Sequence, residues 1–419
     1  MHICGMHNSK TISIFSIPVM VAALGYFVDI YDLLLFGIIR LPSLQDLGLT
    51  SEQMTTEGEK ILSWQMAGLM IGGILWGVLG DKKGRLSVLF GSIVLYSIAN
   101  IANGFVQTTD QYAFIRFIAG IGLAGELGAG ITLVSELIPK EKRGLATSLV
   151  AGIGLTGAVF AFFIKEYFHW RTCYFIGGGL GFLLLLLRVS VFESGMFESI
   201  KDKKIQKGNF FMLINKPERL KKYILAILIG LPTWFVIGIL VTFSKEFGEA
   251  FNIKEPIDAG KAIMYAYAAI AIGDITVGLV SQWLRSRKKA LYIFYGITTF
   301  FMILFFTILQ NGTAAMMYWV CFGLGFGTGF WAIFITMGAE QFGTNIRATA
   351  ATTIPNMVRG MLTILIIPLF KFFRAETDYV TGGWITGAII MAITVVAAIL
   401  TKETFNKDLD YLETEEMMP

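Results

Sequence analysis

Long apolar runs alternate along the whole chain with short breaks of polar, glycine or proline residues. A helix that crosses a bilayer takes about 20 apolar residues, so runs of this length predict membrane spans rather than the amphipathic helices of a soluble core. Twelve spans are predicted, at approximately 17–40, 61–80, 86–105, 112–138, 144–165, 173–191, 221–244, 262–283, 290–310, 314–339, 348–371 and 380–401. The first run continues without a small-residue cleavage site and is read as an uncleaved span.

An even number of spans places both termini on one side. The largest internal polar segment, 192–220, carries Lys201, Lys203, Lys204, Lys207, Lys216 and Arg219. It divides the chain into a six-helix bundle over 1–191 and a second over 221–401, followed by a tail, 402–419. Most of the 34 Lys and Arg residues, among them Lys82, Lys83, Lys140, Arg143, Arg188, Arg287 and Lys402, fall on the side of the termini. Basic residues are retained in the cytoplasm, so both termini are expected there.

Composition supports this placement. The chain is 55% hydrophobic and 15% charged, where soluble domains carry about 25% charged residues. The loops leave no room for a large soluble domain, and a net charge of +4 does not imply nucleic acid. Cys4, Cys173 and Cys321 lack the spacing of a metal or redox site, and His2, His7 and His169 form no metal set. No cofactor motif or nucleophile constellation is present, so an enzyme is not expected.

The halves repeat each other locally. Glu136 precedes Arg143 by seven residues after the fourth span, and Glu340 precedes Arg347 by seven after the tenth. At the end of the second span stands Gly77-Val-Leu-Gly-Asp81-Lys82-Lys-Gly84-Arg85, which resembles the loop 2–3 signature of the major facilitator superfamily, with Leu86 at its final basic position. The matching second-half stretch, Gly278 to Lys288, keeps glycine and bases but has Gln282 for the acid. Arg116-Phe-Ile-Ala-Gly120-Ile-Gly122-Leu-Ala-Gly125-Glu126-Leu-Gly128, followed by Glu136, Pro139, Arg143 and Gly144, is similar to the metabolite:proton symporter branch. Gly25-Tyr-Phe-Val-Asp29-Ile-Tyr31-Asp32-Leu33 looks like the paired-acid motif of helix one in that branch, in aromatic-acid:proton symporters and in phosphate:proton symporters. Phe192-Glu193-Ser194 and Lys402-Glu403-Thr404 resemble sugar-porter ends. The helix-five Gly-Pro signature of drug antiporters is missing, and loop 41–60 is too short for an animal organic-ion transporter.

The resemblance implies an all-α membrane protein of twelve transmembrane helices in two six-helix bundles, in a bacterial inner membrane, working as a monomer. It also implies a cytoplasmic gate at Gly77, Asp81, Gly84, Arg85, Glu136, Arg143, Glu340 and Arg347, where acids and bases at helix ends exchange partners as the bundles rock.

A charge at the centre of a span costs about 2.5–3.5 kcal/mol on insertion scales, so each needs a partner or a purpose. Asp29 and Asp32, three residues apart, share a helical face and suit a proton site or a pair of interhelical hydrogen bonds. Glu126 is a second carboxyl that could titrate near neutral pH, or make a structural hydrogen bond. Arg116 is implied by resemblance to couple acid to substrate, against a plain ion pair. Asp274 serves function or braces the second bundle. Arg359 lies twelve residues past Arg347 and so roughly 18 Å into its helix, near mid-membrane. There it suits a two-pronged bond to a carboxylate, or else an internal salt bridge, with Pro355 and Asn356 supplying a bend and a polar group. Tyr26, Tyr31, Trp234 and Trp331 are candidate apolar walls.

The function expected is proton-coupled import of a small organic anion by alternating access, with the proton as coupling ion and no other cofactor. Import of a zwitterion, organic cation, sugar or phosphate, and a membrane sensor without turnover, remain the alternatives.

Overall fold

The computed structural model describes residues 15–139, 142–188, 208–407 and 411–413. The stretch 189–207, with Phe192-Glu193-Ser194 and four of the linker lysines, lies outside the described residues, as do the side chains of Arg85 and Arg143.

Twelve helices are long and apolar enough to span a membrane. They are α1 (Ile17–Asp46), α2 (Gln53–Lys83), α3 (Leu86–Asn103), α4 (Thr109–Val134), α5 (Leu145–Tyr167) and α6 (Trp170–Leu187). The second six are α7 (Pro217–Val241), α8 (Ala259–Leu284), α9 (Arg287–Thr307), α10 (Ala314–Glu340), α11 (Arg347–Glu376) and α12 (Tyr379–Leu400). Helices α1, α2 and α11 run well past their apolar cores, because polar ends sustain the helix beyond the hydrocarbon. A capping box illustrates this at α2, where the Thr50 hydroxyl accepts from Gln53 N and the Gln53 side chain accepts from Thr50 N. Asp258 caps α8 and Asp378 caps α12 in the same spirit.

Packing repeats with a period of six helices. Helix α2 lies on α4 as α8 lies on α10, α1 on α6 as α7 on α12, and α3 on α6 as α9 on α12. The two sets meet along a seam of α2 against α11 and α5 against α8, with α1 touching α8 and the end of α4 touching α11. Glycines allow the close approaches: a Cβ on Gly120 would meet the carbonyl of Gln65, and one on Gly122 would lie 2.6 Å from Tyr96 N. The turns α2–α3 and α8–α9 both need a positive φ, taken by Gly84 at 98° and by Arg285 at 48°.

Several spans are irregular near their middles. Helix α4 breaks at Ala124-Gly125 and α10 at Thr328–Phe330, six helices apart. Helices α7 and α11 each carry a widened π turn, at Val236–Val241 and Leu362–Ile366. Each π turn follows a proline, Pro232 or Pro355, but α11 continues as regular α-helix past Pro355 to Met361. The irregularity expected at Pro355 therefore falls beyond Arg359.

Candidate functional site

Along the seam, Tyr26 of α1, Trp234 of α7, Tyr267 of α8, Trp331 of α10 and Arg359 of α11 line a cavity of about 10 Å³. That is room for roughly one water. Ile30, Leu33, Leu155, Ile270 and Thr233 complete its wall. Three of the four expected aromatics are here, and Tyr31 is the exception. It stands five residues after Tyr26, about 140° round the helix, so it points into the first bundle. There its hydroxyl donates to the Cys173 carbonyl at 2.8 Å and its ring packs on Phe160.

Arg359 is buried and holds one neutral partner, its Nη1 donating to Asn356 Oδ1 at 3.1 Å. Among the described residues no carboxylate lies within 4.0 Å of it, and its Nε has no hydrogen-bond partner. Asn356 is itself fixed, since its Nδ2 donates to the Ala124 carbonyl at 2.9 Å and to that of Thr352 at 2.7 Å. It therefore ties α11 to the break in α4 while aiming Arg359. The Trp331 ring centroid lies 5.8 Å from the guanidinium carbon, within cation–π range. Asp29 is fully buried and neither carboxylate oxygen accepts a hydrogen bond among the described residues. It lies within electrostatic reach of Arg359, Glu126, Asp32 and Arg188. The Tyr26 hydroxyl and Thr233 Oγ1 are likewise without partners. Each such group costs about 1–3 kcal/mol when buried unpaired; Tyr26, Thr233 and Arg359 carry theirs on the cavity wall, whereas Asp29 does not line the cavity.

The other buried acids have partners that the sequence does not announce. Arg116 Nη1 pairs with Asp32 Oδ1 at 2.9 Å and Nη2 donates to the Asp32 carbonyl at 3.0 Å. Gln65 and Asn100 take two further hydrogen bonds from Arg116. Neither Arg116 nor Asp32 lines the cavity. Both oxygens of Glu126 are held. Arg188 grips both its oxygens, at 3.0 and 2.6 Å, and Ser92 donates to it at 2.9 Å. Arg188 itself was expected at the membrane surface with other basic residues, yet it is buried. It ends the apolar run of α6, and its long stem carries the guanidinium back toward α4. Asp274 braces α10, its Oδ1 accepting from Ala332 N at 3.0 Å just past the break.

Both ends of the seam are shut. On the side of the termini, Asp81 caps the first turn of α11 from the other half of the molecule. Its carboxylate accepts from Ala348 N at 3.1 Å, Thr349 N at 2.8 Å and Thr349 Oγ1 at 2.7 Å, favoured by the helix dipole. Arg347 Nη1 meets Glu136 Oε1 at 3.4 Å, and Gly77 lies against Thr349. Glu340 makes a two-point bond to Arg287 at 2.6 and 2.8 Å within the second half. Charge spacing located the acid, but Arg287 lay hidden among four basic residues of the α8–α9 turn. At the opposite end, three ion pairs cross the seam: Arg40–Glu246 at 3.0 Å, Lys165–Asp258 at 2.8 Å and Lys371–Glu59 at 2.5 Å. The last two are partly solvated and worth about 0–1 kcal/mol each.

The sequence model of the Major Facilitator Superfamily matches residues 22–368. A putative metabolite transport protein of Haemophilus influenzae is 26% identical over 81% of this chain and 84% of its own length. The niacin transporter NiaP of Acinetobacter baylyi is 25% identical over 93% of this chain and 94% of its own. Among solved structures, the proton:xylose symporter XylE shares the fold at a TM-score of 0.75, with 18% identity and coverage of 94% of this chain and 97% of that one. A closed seam around a central cavity, twelve spans and a matching family model together place the chain in the Major Facilitator Superfamily, as a multi-pass transporter of the bacterial inner membrane.

Proposed function

We propose that the chain imports a small organic anion, a monocarboxylate, together with a proton, by exposing the cavity at Arg359 alternately to the two sides of the membrane. The observation that supports this best is Arg359 itself, a buried guanidinium on the seam that is met by one amide oxygen and by no carboxylate among the described residues. Arginine stays charged inside proteins, so an acid brought by a ligand supplies the missing countercharge through a two-point hydrogen bond. Trp234, Trp331, Tyr26 and Tyr267 offer flat apolar walls to a ring or short chain. A relative that carries niacin, a ring monocarboxylate, is in keeping with this.

Asp29 takes the proton in this reading, because protonation removes the negative charge that competes with substrate for Arg359. Asp32, Arg116 and Glu126 act as neutralised supports. The basic residues on the terminal side argue that this side is cytoplasmic, which makes Gly77, Asp81, Gly84, Arg85, Glu136, Arg143 and Arg347 the inner gate, with Glu340 bracing it. One chain holds the whole seam, so a monomer suffices. The two unpartnered oxygens of Asp29 favour a zwitterion as the second reading.

Thermal unfolding against carboxylates, amino acids, betaines, sugars and phosphate separates these. A ligand at about 100 times its Kd stabilises the fold by about 2.7 kcal/mol. Monocarboxylates are expected to stabilise, and Arg359→Ala to abolish the shift; hits confined to cations or sugars would overturn the reading.

A further inference from the structure

A second chamber, of about 20 Å³, lies on the seam towards the end away from the termini. Leu33 and Trp234 line both it and the Arg359 cavity, so one wall separates them. Its charged residue is Arg40, 2% exposed. The Arg40–Glu246 pair is unlike the two-point contacts at Glu126 and Glu340. Only Nη2 of Arg40 reaches Glu246, at Oε1 and 3.0 Å, while Nε and Nη1 of Arg40 and Oε2 of Glu246 have no partner among the described residues. The guanidinium stacks 4.9 Å from the Phe243 ring, and Gly58 makes room for its stem, since a Cβ there would lie 2.9 Å from Arg40 Cδ. A buried arginine with two idle donors on a chamber is built for more than holding one oxygen.

We propose that Arg40 is an entry subsite for the carboxylate of the transported anion. The incoming carboxylate displaces Glu246 from the guanidinium, which releases the latch between α1 and the segment following α7, and the anion then passes Trp234 to reach Arg359. Exchange of one carboxylate for another keeps the guanidinium neutralised throughout, so it avoids the cost of a bare buried charge. The ligand class is therefore the same monocarboxylate, and the proposal rests on the anion-import reading.

The test is maleimide labelling of Thr242→Cys, a chamber residue, in a Cys4→Ser background, with formate and nicotinate as probes. Either anion is expected to speed labelling several-fold. Arg40→Gln should label fast without anion and ignore it. Glu246→Gln should respond at about tenfold lower anion concentration, equivalent to about 1.4 kcal/mol, because the internal competitor is gone. A simple latch predicts the same behaviour from both variants, fast labelling with no anion response, and that outcome overturns the proposal. So does the absence of any response in the unaltered latch. Arg40→Lys, which keeps the charge, guards against misfolding and should retain a weakened response. Unchanged thermal shifts in Arg359→Ala would count against the anion-import reading separately, whatever the labelling shows.

Discussion

Arg188 closes a two-point hydrogen bond on Glu126, Nη1 to Oε1 at 3.0 Å and Nη2 to Oε2 at 2.6 Å, with both side chains about 1% exposed. Arg188 Nη1 also donates to the Leu89 carbonyl at 3.0 Å, so one guanidinium joins α6, α3 and the break in α4. Gly25 on α1 is tight against the pair, where a Cβ would run into Arg188. Breaking a buried pair from one side leaves a bare charge and costs about 3–5 kcal/mol. Arg188→Met or Glu126→Leu alone should sharply lower the melting temperature in detergent, and the double variant should recover most of the loss. Were Glu126 a freely titrating proton carrier, Glu126→Gln would instead uncouple transport at little cost in stability.

Asp29 and Asp32 are separated by the same logic. Asp32 has Arg116 and Asp29 has no hydrogen-bonded partner among the described residues, so under the proposed reading Asp29, of these two, is the acid that exchanges a proton without first breaking a salt bridge. Asp29→Asn should retain ligand-induced stabilisation and exchange of substrate across proteoliposomes, yet lose accumulation driven by an inward proton gradient. Asp32→Asn should instead lose folded yield. Gradient-driven accumulation that survives in Asp29→Asn would refute this assignment.

The spans were legible because membrane helices are written in apolar runs, and Asp81, Glu136 and Arg347 were legible as charged residues at helix ends. Buried charges were legible as residues but not as pairs. Partners of Glu126 and Asp32 lie 62 and 84 positions away, and no local periodicity encodes such a distance. Arg188 was misplaced because a residue closing an apolar run reads as interfacial, while its reach inward depends on the packing of α6. Thr233 and Tyr267 were missed for a different reason: a lone hydroxyl within an apolar run has no pattern, and the cavity wall drawn from α7 and α8 exists only after the halves meet.

Two glycines on the seam, Gly77 and Gly128, hold the terminal side shut by their lack of a side chain. A Cβ on Gly128 would meet Thr352, and one on Gly77 would lie 3.0 Å from Thr349 Cα, beside the Asp81 cap. Overpacking costs about 1–3 kcal/mol, and here it falls only on conformers in which α2 and α4 press on α11. Gly128→Val is therefore expected to shift the population towards terminal-side-open forms by roughly 5–150-fold. Spin labels on the terminal-side ends of α2 and α11 should report a longer separation, with little change in melting temperature. An unchanged distance distribution would mean that the seam repacks around the new side chain.

Glu403, just past α12, holds the α8–α9 turn. It accepts from Ser286 Oγ at 2.5 Å and from the backbone N–H groups of Arg287, Lys288 and Phe405 at 3.1, 3.3 and 3.0 Å. Burial alone would raise its pKa, but the hydrogen bonds from Ser286, Phe405, Arg287 and Lys288 prevail and hold it below the usual carboxylate range. The first turn of α9 begins at Arg287, so the helix dipole favours the same charge. A carboxyl whose pKa is lower in the folded state stabilises that state when ionised. Its contribution is complete above the unfolded pKa and fades as pH falls through the folded value. Glu403→Ala should therefore cost about 1 kcal/mol near neutral pH, the scale of a lost helix cap. Melting curves of the two proteins should converge as pH drops below the usual range of glutamate, about 4.3. Convergence on raising the pH instead would require a folded-state pKa above the unfolded one, and with it a different role for the hydrogen bonds at Ser286 and Arg287.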